Sequence, residues 1–202
     1  MQKRNIPDQI KGSKTDNSYS VDFDSPEEAK QHYQVCKTRL LNVSDWHSLT
    51  GTGTAEFELT DANGTPVRRV AEPGDFFKID IPAPGSVAGG GNDWVQIEAI
   101  DSKGDSTRDE EYIAIKVRPA GNPRNKDKET AHFFKEDATS TFLVSRSENT
   151  VSAEIHGRNE VPNTEETNVI DTLRNAVVAV GAMLGFSDAQ WKRLAKGLVE
   201  KS

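Results

Sequence analysis

Apolar and polar residues alternate with period two in seven segments of the chain. Ser18–Phe23 (SYSVDF) is the first, and Thr54–Thr60 (TAEFELT) places Phe57 and Leu59 on one face with Glu56 and Glu58 on the other. Phe76–Pro82 sets Phe77, Ile79 and Ile81 against Lys78 and Asp80. Asp93–Ile100 repeats the pattern with Val95, Ile97 and Ala99, and Glu111–Val117 with Ile113, Ile115 and Val117. Thr139–Arg146 and Val151–Gly157 form a last pair around Ser147-Glu148-Asn149-Thr150. Such alternation predicts antiparallel strands with one wet face, since a fully parallel sheet would read as continuous apolar runs. After Thr60, Asp61-Ala62-Asn63-Gly64 offers the positive φ that a tight hairpin turn requires.

Two regions carry helical spacing instead. Ser25-Pro26-Glu27-Glu28 combines a cap residue, a proline at the first helical position and acids at the positive end of the dipole. Behind it Ala29, Tyr33, Cys36 and Leu40 form one stripe. A long helix is predicted from Asn163, with Glu166 as its capping-box partner and an apolar face running from Val169 through Leu173 and Val180 to Leu184. Gly185 ends it. A second, shorter helix then starts at Ser187 with the stripe Trp191, Leu194, Ala195 and Leu198.

Between these elements lie polar stretches. Residues 1–18 hold only Met1, Ile6 and Ile10 as apolar side chains and are expected to form a disordered tail. Arg118–Thr130 and the glycine-rich Ala83–Asn92 read as loops. The expected organisation is therefore a tail (1–18), a sheet-and-helix domain (19–185) and a C-terminal helical appendage (186–202). The expected fold class is α+β: a curved antiparallel sheet or partial barrel packed on a long C-terminal helix, plus a short extra helix.

The segment Tyr19–Trp46, in which a strand runs into Ser25-Pro26-Glu27-Glu28 and a tryptophan closes the helical part, resembles the opening of the START and Bet v 1-like helix-grip superfamily. The order of elements over Tyr19–Gly185 is similar as well. The resemblance implies a curved sheet gripping the long helix near Leu173–Val180, with an apolar cavity between them. Val70–Val117 also reads as a small SH3-like or OB-like barrel, and a lipocalin-like or split barrel with a helical appendage stays open.

Composition narrows the function classes. The 202 residues are 34% apolar and 28% charged, with 25 basic against 32 acidic side chains and a net charge of −7. An acidic chain without aromatics inside its basic loop (Arg118, Arg124, Lys126, Lys128) offers neither the field nor the stacking platforms that nucleic acid needs. The longest apolar run, Ala176–Val180, is far below the roughly 20 residues of a membrane span. A single cysteine excludes an internal disulfide framework, and no apolar stretch follows the N-terminal basic residues, so a cytoplasmic location is expected.

Chemical motifs are sparse. The four histidines stand at no metal-ligand spacing, and His32 and Cys36, four apart, fall where Cys36 belongs to the apolar stripe of a helix. Ala83–Asn92 lacks the Gly-Lys-Ser/Thr ending and the following helix of a phosphate loop. Asp61–Thr65 lacks the sixth-position glycine of a calcium loop, and no nucleophile elbow is present. The expectation is no catalytic residue, no metal and no cofactor. The leading reading is non-catalytic binding of a small apolar or amphipathic ligand between sheet and helix, with Trp46, His47, Trp94, His132, His156 and Arg158 as candidate ligand-binding residues. An assembly module that dimerises through Trp191, Leu194 and Leu198 is the alternative, and a cyclase- or hydrolase-like enzyme on the same cup is a third.

Overall fold

The computed structural model describes residues 6–81, 91–104, 109–125, 129–163 and 188–201. Each of the seven alternating segments is a strand: β1 (Ser13–Asp22), β2 (Glu56–Thr60), β3 (Phe76–Asp80), β4 (Asp93–Lys103), β5 (Glu110–Pro119), β6 (Thr139–Ser147) and β7 (Thr150–Glu160). They form one antiparallel sheet in the order β1-β7-β6-β5-β4-β3-β2. The sheet is open, with β1 and β2 as its edges, so the closed-barrel alternatives are set aside. Between β1 and β2 lie α1 (Pro26–Leu41), a 3-10 turn (Val43–Asp45) and the short α2 (Trp46–Thr50). A last helix, α3, covers residues 188–199.

The local signals for α1 act as expected. Ser25 Oγ accepts from the Glu28 amide at 3.3 Å, Pro26 opens the helix, and the stripe Ala29, Tyr33, Cys36 and Leu40 is buried. Asp61–Thr65 does turn, with Gly64 at φ 78° and the Asp61 carboxylate accepting from the Asn63 and Thr65 amides. The partner strand does not follow at once. A bridge from Thr60 to Pro66 and the bond from Val67 N–H to the Leu59 carbonyl continue the turn briefly, and β3 starts ten residues after Pro66 because the chain first crosses to other parts of the fold.

Part of the segment expected as a tail is a strand. Residues 13–18 belong to β1 and pair with β7 from Ser13 opposite Glu160 to Ser18 opposite Glu154. Their polar side chains hide the strand from any hydrophobic pattern, while the backbone ladder and bonds from Ser13 and Thr15 to the Glu160 carboxylate hold it. The long helix expected after Asn163, and the glycine-rich loop apart from Gly91 and Asn92, lie outside the described residues.

On the inner face of the sheet α3 shares the core with α1. Leu194, Ala195, Leu198 and Val199 are fully buried in the same core as Phe77, Ile97, Ile115, Phe142 and Ile155, and Trp191 packs against it half-buried. The Trp191/Leu194/Leu198 stripe is thus enclosed by its own chain rather than left as a free face. Arg39 of α1 donates to the carbonyls of Gly197, Leu198 and Glu200, capping the negative end of α3 with a cation. An aromatic cluster, Trp46, Phe57, Phe77, Phe142 and Trp191, fills the centre at ring separations of 4.8 to 6.3 Å. Large buried rings of this kind contribute roughly 1.5–3 kcal/mol each. Among the described residues no helix is long and apolar enough to cross a membrane.

Candidate functional site

A cleft of about 830 Å³ opens beside the edge strand β2. One wall comes from the turn after α1, with Ser44, Asp45 and His47. The floor is the outer face of β2 and β3, with Glu56, Glu58, Lys78 and Asp80, and the second wall is the loop from Pro66 to Arg69.

The walls are fixed from behind. The loop between β2 and β3 is pinned by Val67 N–H to the Leu59 carbonyl, Ala71 N–H to the Leu41 carbonyl and Gly74 N–H to the Ile97 carbonyl, at 2.9 to 3.0 Å. Arg69 forks onto the buried Asp75 carboxylate at 2.6 and 2.8 Å, a bidentate geometry that fixes both side chains. On the other wall, Trp46 anchors the turn by donating its indole N–H to the carbonyls of Arg39 and Leu40. His47 follows it in sequence and faces the opposite way, exposed, with Nδ1 3.1 Å from the Ser44 carbonyl.

Charge inside the cleft is unevenly matched. Glu58 meets Lys78 at 2.9 Å, and Arg69 is held by Asp75 and Glu72. Glu56 and Asp80 stand directly opposite each other in the β2–β3 register. Among the described residues neither has a cationic partner, nor has Asp45, and Arg68 has no acidic one. Among the described residues, three carboxylates of the cleft therefore lack a counter-charge against one guanidinium. Among the described residues no three His, Cys, Asp or Glu side chains converge as a metal site.

The six residues singled out from sequence do not converge. His47 alone lines the cleft. Trp46 is fully buried in the aromatic cluster, and Trp94 is buried with its amide donating to the Ala131 carbonyl at 2.7 Å. His132 is buried, stacked 4.6 Å from Phe133, and its Nδ1 accepts from the Phe134 amide at 2.9 Å. Burial pushes its pKa down to about 3, a shift that the Phe134 contact does not offset.

His156 and Arg158 do come together, on the sheet face away from α3. His156 Nδ1 lies 2.6 Å from Asp16 and Nε2 3.0 Å from Glu154, while Arg158 donates to the same Asp16 oxygen at 2.6 Å. Burial opposes charge on the imidazole, yet the bonds to Glu154 and Asp16 outweigh it and raise its pKa. Burial likewise opposes charge on Asp16, and its bonds to His156 and Arg158 hold it below the usual carboxylate range. The network ties the edge strand β1 to β7.

The remaining cleft residues were missed from sequence. Glu56, Glu58, Lys78 and Asp80 read as the wet face of two strands, and Arg68 and Arg69 sat in a loop without a period. The like-charged facing pair is the one signal that strand register, once known, exposes.

No family model matches the chain, and no curated protein matches it. Solved structures do resemble it. A hypothetical protein of Helicobacter pylori is similar at 12% identity and a TM-score of 0.49, over 96% of this chain and 97% of that one. A truncated norcoclaurine synthase of Thalictrum flavum is similar at 9% identity and a TM-score of 0.37, over 97% and 100%. Ginseng major latex-like protein 151 of Panax ginseng is similar at 12% identity and a TM-score of 0.34, over 86% and 96%. At such identities and scores these likenesses name no family for this chain.

Proposed function

We propose that the protein is a non-catalytic binding protein whose small ligand is polar and charged and lies in the cleft beside β2. The observation that carries the proposal is the combination of a cleft of about 830 Å³ with walls pinned by backbone bonds and the Arg69–Asp75 fork, and lining carboxylates (Asp45, Glu56, Asp80) that have no cationic partner among the described residues. Its volume falls within the roughly 300–1,000 Å³ of small-molecule pockets. Pre-formed walls keep the ordering cost of binding low.

The apolar sheet–helix site expected from sequence involves Leu173–Val180, which lie outside the described residues, and the β2 cleft is a different site. Where α3 meets the sheet among the described residues, Trp46, Phe77, Phe142, Leu194 and Leu198 are at most 1% exposed, which leaves close-packed side chains there. A ligand for the β2 cleft must instead complement carboxylates and a guanidinium.

The experiment is a ¹H–¹⁵N chemical-shift screen of the full chain with a library spanning apolar, zwitterionic and cationic compounds. Polar compounds are expected to shift His47, Arg68 and Lys78 together. Preference for apolar compounds, with shifts centred on Trp191 and Phe142, would overturn the proposal.

A further inference from the structure

We infer that the occupant of the cleft is an extended peptide segment carrying positive charge, which pairs with the backbone of Phe57 through two hydrogen bonds; the inference rests on the cleft being the ligand site.

The free edge of β2 is covered on either side of one residue. In an antiparallel strand, alternate residues turn both N–H and C=O towards one neighbour. On the side away from β3, Leu59 is served twice: its N–H donates to Ser44 Oγ and its carbonyl accepts from Val67, both at 3.0 Å. Ala55 N–H donates to the Gln190 side chain at 3.0 Å. Phe57 lies between them and points its peptide groups the same way. Its ring is in the aromatic cluster, so what it presents to the cleft is that N–H and C=O. Among the described residues neither has a partner, although Phe57 is only 4% exposed. Unpaired backbone groups at a sheet edge invite pairing, and folds cover such edges for this reason. Here the cover stops for one residue, inside the cleft.

Glu56 and Asp80 flank this gap as a like-charged pair directly opposite in register, an arrangement that destabilises a sheet. Asp45 adds a third carboxylate from the facing wall. A cationic ligand relieves that repulsion. A simple amine would satisfy the carboxylates and leave Phe57 unpaired, whereas a peptide backbone supplies a donor and an acceptor at ladder spacing. Positive side chains on the same peptide reach the floor, and a carboxylate end or side chain is met by Arg68.

The test titrates ¹⁵N-labelled protein with acetyl-Lys-Ala-Lys-amide, the same peptide N-methylated at each residue in turn, acetyl-Glu-Ala-Glu-amide, and putrescine. The basic peptide is expected to shift the Phe57 amide along with His47 and Arg68. Methylation at one position is expected to weaken it about tenfold, and the acidic peptide about tenfold or more. Glu56→Gln with Asp80→Asn, both exposed and without a cationic partner among the described residues, is expected to weaken the basic peptide about fivefold or more while leaving the unliganded spectrum folded. Equal binding of all the methylated peptides, equal binding of the acidic peptide, or putrescine matching the peptide with Phe57 unmoved would overturn the inference and leave the cleft as a ligand site. Peptides that shift no cleft residue would overturn it too, and the compound screen then judges the cleft separately.

Discussion

Arg146 and Glu111 face each other across the β5–β6 ladder, joined by Arg146 Nε and Glu111 Oε1 at 2.8 Å, with side chains only 3% and 6% exposed. They lie on the same side of the sheet as Ile113 and Phe142, beneath α1. Burial, and behind it the Glu111 charge, push the Tyr33 hydroxyl pKa up. Removing one partner strands a charge away from water. Glu111→Gln is therefore expected to cost roughly 3–5 kcal/mol in urea unfolding, and Glu111→Leu with Arg146→Met much less than that. A loss for the single variant within the range of about 0–1 kcal/mol would mean that the pair behaves as a surface one.

The β1–β7 tie depends on pH. The folded pKa of His156 lies above 6.5, so its contribution is fully present below about pH 6.5 and is lost as pH rises through the folded value. The Asp16 pKa lies below 3.8, so its contribution is present above about pH 3.8 and is lost as pH falls through the folded value. The tie is strongest between those limits. In urea unfolding, the stability gap between the wild type and His156→Gln should be widest near about pH 5 and narrow by about pH 8. A gap that stays constant would show that the imidazole is not charged in the folded state.

His132 behaves in the opposite sense. Its pKa is pushed down to about 3, so the folded state holds it neutral while the unfolded chain takes up a proton below about pH 6.5. Stability from this site is full above that value and declines towards about pH 3. The His132 ring resonances should therefore stay fixed between about pH 4.5 and 8 in an NMR titration, a range in which an exposed histidine moves.

Helix α3 crosses α2 at Gly197, where an added Cβ would collide with the Leu49 carbonyl oxygen. Backbone on the opposing side cannot rotate away as a side chain can. Gly197→Ala is expected to displace α3 and cost roughly 1–3 kcal/mol, despite the higher helix propensity of alanine. Thermal unfolding checks the loss, and a red shift of the Trp191 emission checks the displacement.

Most of the frame was legible in the chain because its strands have one wet face and α1 has both a cap and a stripe. Ser13–Asn17 escaped because an edge strand held by its ladder and by polar bonds to β7 needs no hydrophobic alternation. The stripe of α3 was visible, yet its partner was not: periodicity shows that Trp191 seeks cover, not that Phe57 and Phe142 provide it. For the cleft only His47 was found. Its walls and floor come from four separate stretches between Asn42 and Asp80, and Glu56, Asp80 and Arg68 resemble any solvated charge until register places two acids face to face.

The most direct test of the open edge is hydrogen exchange at three amides of and next to β2. Ala55 and Leu59 donate to Gln190 and Ser44, whereas Phe57 donates to nothing among the described residues. In the free protein the Phe57 amide should exchange far faster than those of Ala55 and Leu59, and the basic peptide should slow it to their level. Phe57 already as protected as Leu59 without ligand would contradict the account.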